Sequence, residues 1–377
     1  MPVRDFWNLA GRVGRTGQNS LGWVGIISKD EQELLRISTY VKSAADELQS
    51  QLIEIINQAL ANPTIEFENW LFRDERWSGL LQYISHLYVQ SVNLGTFVSS
   101  LEQRLINTLG YNKLNPEQKN YLRTNLRSYA ESINSGHAKI SDSTGFSTIS
   151  IGKLWGGLTE ANLNSTDWHK NQLFSEQNQS LQKLIGIMLK TPEISSSIEK
   201  LSSWDSAFDR TSISKMVIDW VNGKSINFIA DRYFSNETDS RKRIEKCTRA
   251  MYSHLANAAT WGLAAIQKMP NSGADWDNLN DTEKKRMANL PALLHYGVNT
   301  DEAVLMRKNN IPRSIAKKVG ELYNASCGGQ IFEQSSIEVI AWLNSLDSVT
   351  WESVRPSNSV MTGTDYKRVW EKLNGDE

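Results

Sequence analysis

The sequence predicts a mainly α-helical protein. Apolar residues recur at i, i+3, i+4 and i+7 over most of its 377 residues. Several of these stretches open on a capping residue, as at Asn115-Pro116 and Thr191-Pro192. Strand-like runs are scarce, GWVGIIS at 22–28 being the clearest.

Taken in order, NLAGRVGRTGQ at 8–18 is a glycine-punctuated turn, and GWVGIIS reads as a short buried strand. Ser28 and Glu31 have the spacing of a capping box, and the apolar pattern after them predicts one helix from about Asp30 to Ala61. Helical periodicity continues through 79–109 and 115–133. Between Ser132 and Gly157 the chain turns to Ser, Gly and Thr, which reads as a boundary with room for a short hairpin wing. Helices resume at Pro192 and run through SISKMVIDWVNG. WVNGKSINFIADRYF reads as helix, glycine turn and second helix. A long amphipathic helix is expected from Asp239 to the PNSG turn at 270–273, and two shorter helix pairs follow it. The expected domains are 1–28, 29–157, 158–270 and 271–377.

Composition narrows the function classes. The formal net charge is −1, with 40% hydrophobic and 22% charged residues, so any nucleic-acid surface must be local. Cys247 and Cys327 have no metal-ligand or disulfide spacing, which points to a reducing cytoplasm and to no metal site. No apolar run has signal-peptide or membrane-spanning length, so neither export nor membrane contact is expected. Thirteen tryptophans are expected to serve mostly in packing. The five histidines show no nucleophile–base arrangement in their spacing.

Three motifs carry chemistry. Gly11 and Gly14 permit close approach of backbone to phosphate, and Arg12 and Arg15, three apart, lie on one side of a helical turn. By themselves they fit either two solvated arginines or a pair that stabilises a transferring phosphoryl group. On the helix from Asp239, Lys242, Arg243, Lys246 and Arg249 precede Tyr252 and Trp261. Cations with aromatics suit phosphates and bases of a single strand, and equally a solvated basic face over a tryptophan core. In LPALLHYGVNTDEAVLMRKNNIPRSIAKKVGELY, residues 290–323, two helices flank NNIPR, with Arg313, Lys317 and Lys318 after the turn. Pro312 takes the place of a turn glycine and has no N–H to offer a phosphate, so backbone binding there rests on the side-chain cations.

VRDFWNLAGRVGRTGQNSLGWVGIIS resembles motif VI and the following strand of superfamily 2 DEAD/DEAH-box helicases. The helical remainder resembles the accessory carboxy-terminal region of superkiller-type DExH enzymes. Gly11, Arg12, Gly14 and Arg15 match the Gly-Arg-x-Gly-Arg core, while Asn8 stands where the family usually has glutamine. The resemblance implies that 1–28 is a short α/β remnant of a RecA-like domain, followed by winged-helix, helical-bundle and helix-hairpin-helix-like domains. It implies that Arg12 and Arg15 are catalytic, Gly11 and Gly14 border ATP and magnesium, and the basic helix lines a strand channel. No GxxxxGK[ST] or DExH motif occurs. VNGKS at 221–225 lacks the first Walker glycine, where Ile218 stands, and follows a helix pattern. ATP binding is therefore expected only with an upstream motor half or a partner, and the chain alone is not expected to hydrolyse ATP. The alternative is a non-enzymatic adaptor that keeps the helical domains to hold nucleic acid or a protein.

Overall fold

The computed structural model describes residues 30–32, 34–35, 51–61, 78–91, 93–106, 109–202 and 210–374. Motif VI, with Gly11, Arg12, Gly14 and Arg15, the strand at 22–28 and the expected RecA-like remnant lie outside the described residues. So does the middle of the helix expected from Asp30 to Ala61, of which Glu31, Gln32, Leu34, Leu35 and 51–61 are helical. The protein is mainly helical, with no strand among the described residues.

The chain divides into two compact units. The first comprises residues 1–70 and 92–131. Its helices are α1 (Gln51–Ala61), α3 (Leu94–Ile106), the single turn α4 (Leu109–Asn112) and most of α5 (Pro116–Ser132), while α2 (Ser78–Gln90) belongs to the second unit. Asn115 caps α5 as its sequence suggests: its side chain accepts from Gln118 N at 2.8 Å and the Gln118 side chain accepts from Asn115 N. Ile56, Phe97, Leu101, Leu122 and Leu126 are buried there, and Gln118 donates to Asn57 across from α5 to α1.

The second unit comprises 71–91 and 132–377. It begins after α2 with α6 (Ser135–Thr144) and α7 (Thr148–Ala161), the very stretch whose Ser/Gly/Thr composition suggested a hairpin wing. That expectation is overturned. Asn134 and Ser147 are helix caps, accepting from His137 N and Ser150 N, and Gly145 closes α6 at φ +78°. The small polar residues mark helix ends instead of strand turns.

From there follow α8 (Lys170–Leu173), α9 (Ser180–Met188), α10 (Pro192–Ser202), α11 (Arg210–Val221), α12 (Ile226–Tyr233), α13 (Ser240–Arg249) and α14 (Ala256–Gln267). Six more complete the unit: α15 (Asp281–Tyr296), α16 (Asp301–Lys308), α17 (Arg313–Ser326), α18 (Ser336–Ser345), α19 (Ser348–Val354) and α20 (Gly363–Asn374). α10 starts at Pro192 as expected, although the Thr191 hydroxyl donates back to Met188 O and does not cap the helix. One hydrophobic cluster runs from Phe146 to Trp370, so the expected boundaries at 157 and 270 fall inside a single core. Trp168, Trp220, Trp351 and Trp370 are its largest fully buried side chains. Three of the four indoles donate to backbone carbonyls, of Ser272, Leu294 and Asn309, which removes the cost of burying an N–H. The alanine-rich α14 runs close to α9: a Cβ on Gly262 would come within 2.7 Å of the Met188 sulfur.

α13 and α14 form the continuous helix that the sequence predicts, with one departure. Ala250–Leu255 is a π-turn, the wider turn shifting the residues after it relative to the cations before it. Tyr252 lies in this turn.

Candidate nucleic-acid interface

A candidate surface is a cleft in the second unit, with a volume of about 750 Å³. α11 ends at Val221, and the turn through Asn222 and Gly223 needs the left-handed backbone, Gly223 having φ +80°. Ser225 then caps α12, accepting from Phe228 N at 3.1 Å. This turn sets Lys224 above the Phe228 ring, 5.1 Å from its centroid, and leaves 41% of Phe228 exposed. Tyr252 lines the cleft from the π-turn, 45% exposed, its ring edge-on to Trp220 at 5.3 Å. The remaining wall comes from the end of α15, the start of α17 with Arg313 and Lys317, and the loop after α19.

Arg313 ties these walls together. Its guanidinium donates to Gly297 O at 2.6 Å, to Lys224 O at 2.9 Å and to Trp220 O, and lies 3.9 Å from the centre of the Trp220 ring. The carbonyl ends of α11, the Gly223 turn and α15 thus meet one cation. Burial pulls the Arg313 pKa down to about 10, against the opposing influence of Tyr252, so it remains charged at neutral pH. Gly297 closes α15 at φ +64°, and a Cβ there would fall 2.3 Å from Trp220 and 2.6 Å from Arg313 Nε. A second guanidinium, Arg307, donates to Ile311 O at 2.6 Å and lies 5.8 Å from the Tyr296 ring; burial lowers its pKa too. Neither arginine has a carboxylate partner among the described residues. The cleft lining holds Lys224, Arg313 and Lys317, and no Asp or Glu.

The residues singled out on α13 are arranged differently. Arg243 pairs with Asp231 at 2.9 Å, Lys246 with Glu237 at 2.5 Å, and Arg249 with Glu245 at 2.9 Å. Lys242, Lys246 and Arg249 do share one groove of about 290 Å³, and Glu245 shares it with them. Lys242 is exposed.

Three expectations need correction. Trp261 is partly buried against the core, its N–H donating to Thr144 O at 2.7 Å and its ring 4.3 Å from Phe146; it is a packing residue, not a platform open to bases. Arg313 is committed to backbone carbonyls, so its role is to hold the cleft together. The NNIPR turn does join two antiparallel helices, α16 and α17, but α20 covers it: Trp370 Nε1 donates to Asn309 O and Asn310 donates to Asn374. The turn is therefore no open phosphate cradle. Lys318 Nζ donates to Arg355 O at 3.3 Å, and Lys317 is exposed beside the cleft.

Sequence reasoning missed Lys224 and Phe228. VNGKS joins two helices, as the pattern of WVNGKSINFIADRYF predicts. The usable signal was a lysine on a glycine turn with an aromatic one helical turn after the capping serine. Among the described residues no group of His, Cys, Asp and Glu is placed to hold a metal ion, and no helix is long and apolar enough to cross a membrane. No protein-family model, curated protein or solved structure matches the chain.

Proposed function

We propose that this chain is the carboxy-terminal, strand-handling part of a superfamily 2 helicase, and that its second unit holds single-stranded DNA or RNA in the cleft between α12, the π-turn and α17. The observation that carries this reading is the lining itself: three cations, no carboxylate, and the exposed rings of Phe228 and Tyr252. Cations meet phosphates and release counterions, and exposed rings stack on unpaired bases, which a duplex keeps to itself. Arg12 and Arg15 would complete an ATP and magnesium site supplied by an upstream motor half or by a partner, as the motif VI resemblance implies.

Fluorescence anisotropy with labelled oligonucleotides tests the reading. The full chain binds single strands more tightly than blunt duplex of the same length, and its affinity falls steeply as salt rises. Flat salt dependence, or equal affinity for duplex, overturns it. ATP hydrolysis by the purified chain that disappears in Arg15→Ala would overturn the assignment of the missing motor half.

A further inference from the structure

A second cavity of about 470 Å³ lies in the same unit and has a different chemistry. Its floor is apolar: Trp168, Met287, Leu290 and Leu293 are all buried, the last three on one face of α15. Trp168 has no donor to offer, since its N–H is held by Ser272 O. The polar edge carries both signs. Asp301, the first residue of α16, is only 8% exposed. Its Oδ1 accepts from Asn289 at 3.0 Å, and its Oδ2 has no hydrogen-bond partner among the described residues. Lys170 and Arg286 both line the cavity close enough for their charges to act on Asp301. Neither forms an ion pair with it: Lys170 Nζ donates to Asn299 O, and Arg286 has no hydrogen-bond or ion-pair partner among the described residues. The other two carboxylates of the lining are engaged, Glu283 in the cap of α15 and Glu302 with Asn324.

The occupant follows from charge and shape. A simple cation on Asp301 would meet Lys170 and Arg286 as like charges, and a simple anion on those two would sit beside a buried carboxylate. A zwitterion satisfies all three, and the apolar floor takes a hydrophobic tail. We propose that this cavity binds a hydrophobic α-amino acid, its ammonium on Asp301 Oδ2, its carboxylate between Lys170 and Arg286, and its side chain against Met287, Leu290 and Leu293. This site is separate from the cleft and stands whether or not the chain handles nucleic acid.

Isothermal titration of the full chain with leucine, methionine and phenylalanine tests it, with isoamylamine and isocaproate as ligands that each lack one charged group. At least one amino acid binds, and both singly charged analogues bind about tenfold more weakly or worse. Asp301→Asn keeps the shape and the Asn289 bond while removing the charge. Arg286→Gln changes an exposed side chain and leaves the fold intact. Each variant weakens amino-acid binding about tenfold. No binding by any of the three amino acids, undiminished binding in both variants, or equal binding by either analogue overturns the proposal.

Discussion

Two basic regions of the second unit invite comparison. α13 carries five cations in ten residues, Arg241, Lys242, Arg243, Lys246 and Arg249, and is the denser in sequence. The cleft brings together only Lys224, Arg313 and Lys317, from turns and helices nearly ninety residues apart in the chain. Yet three of the α13 cations face Asp231, Glu237 and Glu245, whereas no carboxylate lines the cleft. Positive charge can be counted in a sequence; positive potential depends on where the acids fold. The difference also separates two kinds of cation inside the cleft, since Arg313 is spent on carbonyls while Lys224 and Lys317 remain for a ligand.

That division of labour makes Arg313 the position whose loss costs the protein most. Arg313→Ala leaves the carbonyls of Trp220, Lys224 and Gly297 without their shared donor and strips a cation from the Trp220 face. We expect a loss of about 3–5 kcal/mol of stability in urea unfolding followed by circular dichroism. A variant that unfolds like the parent while losing oligonucleotide affinity would show that Arg313 serves the ligand and not the scaffold. Next come the rings. Phe228→Ala and Tyr252→Ala each remove a stacking surface worth about 1–3 kcal/mol, so single-strand affinity falls roughly tenfold with the thermal midpoint little changed. Should affinity for an oligonucleotide survive the loss of both rings, the cleft would be an electrostatic surface alone.

The charges follow. Replacing Lys224 and Lys317 together by glutamine should weaken binding severalfold at low salt and make log K less steep against log salt by about 1.4, two phosphate contacts' worth for a single strand. An unchanged slope would remove both lysines from the interface.

Much of the fold was legible because helix starts are local. Asn115, Pro192, Ser225 and Asp239 announce their helices within four residues, and the glycine turn at 222–223 reads correctly from WVNGKS. The false hairpin between 132 and 157 has the same origin, because Asn134 and Ser147 are both turn formers and helix caps, and composition alone does not separate the two. The site was less legible because it is not local. Lys224 and Tyr252 meet only after α12 packs on α13, and the Trp261 N–H finds its acceptor 117 residues away at Thr144. The π-turn that carries Tyr252 leaves no mark in the apolar spacing of AMYSHL.

Arg249 separates the two basic regions most directly. Arg249→Gln removes a cation from the densest basic stretch, but its Glu245 partner, one turn back on the same exposed face, already screens it. Oligonucleotide affinity should change less than about twofold, and the salt slope by well under the ~0.7 of a full phosphate contact. Glu245→Gln is the complementary probe, because it frees Arg249 without adding a charge to the chain's inventory of cations. If the pairing is what silences α13, freeing Arg249 raises affinity and steepens the salt slope, whereas Arg249→Gln does almost nothing. If both substitutions act equally and in opposite directions, Arg249 already meets the strand in the parent protein. The carboxylates of α13 would then be partners that yield to phosphate, and the acid-free lining of the cleft would no longer distinguish the two regions.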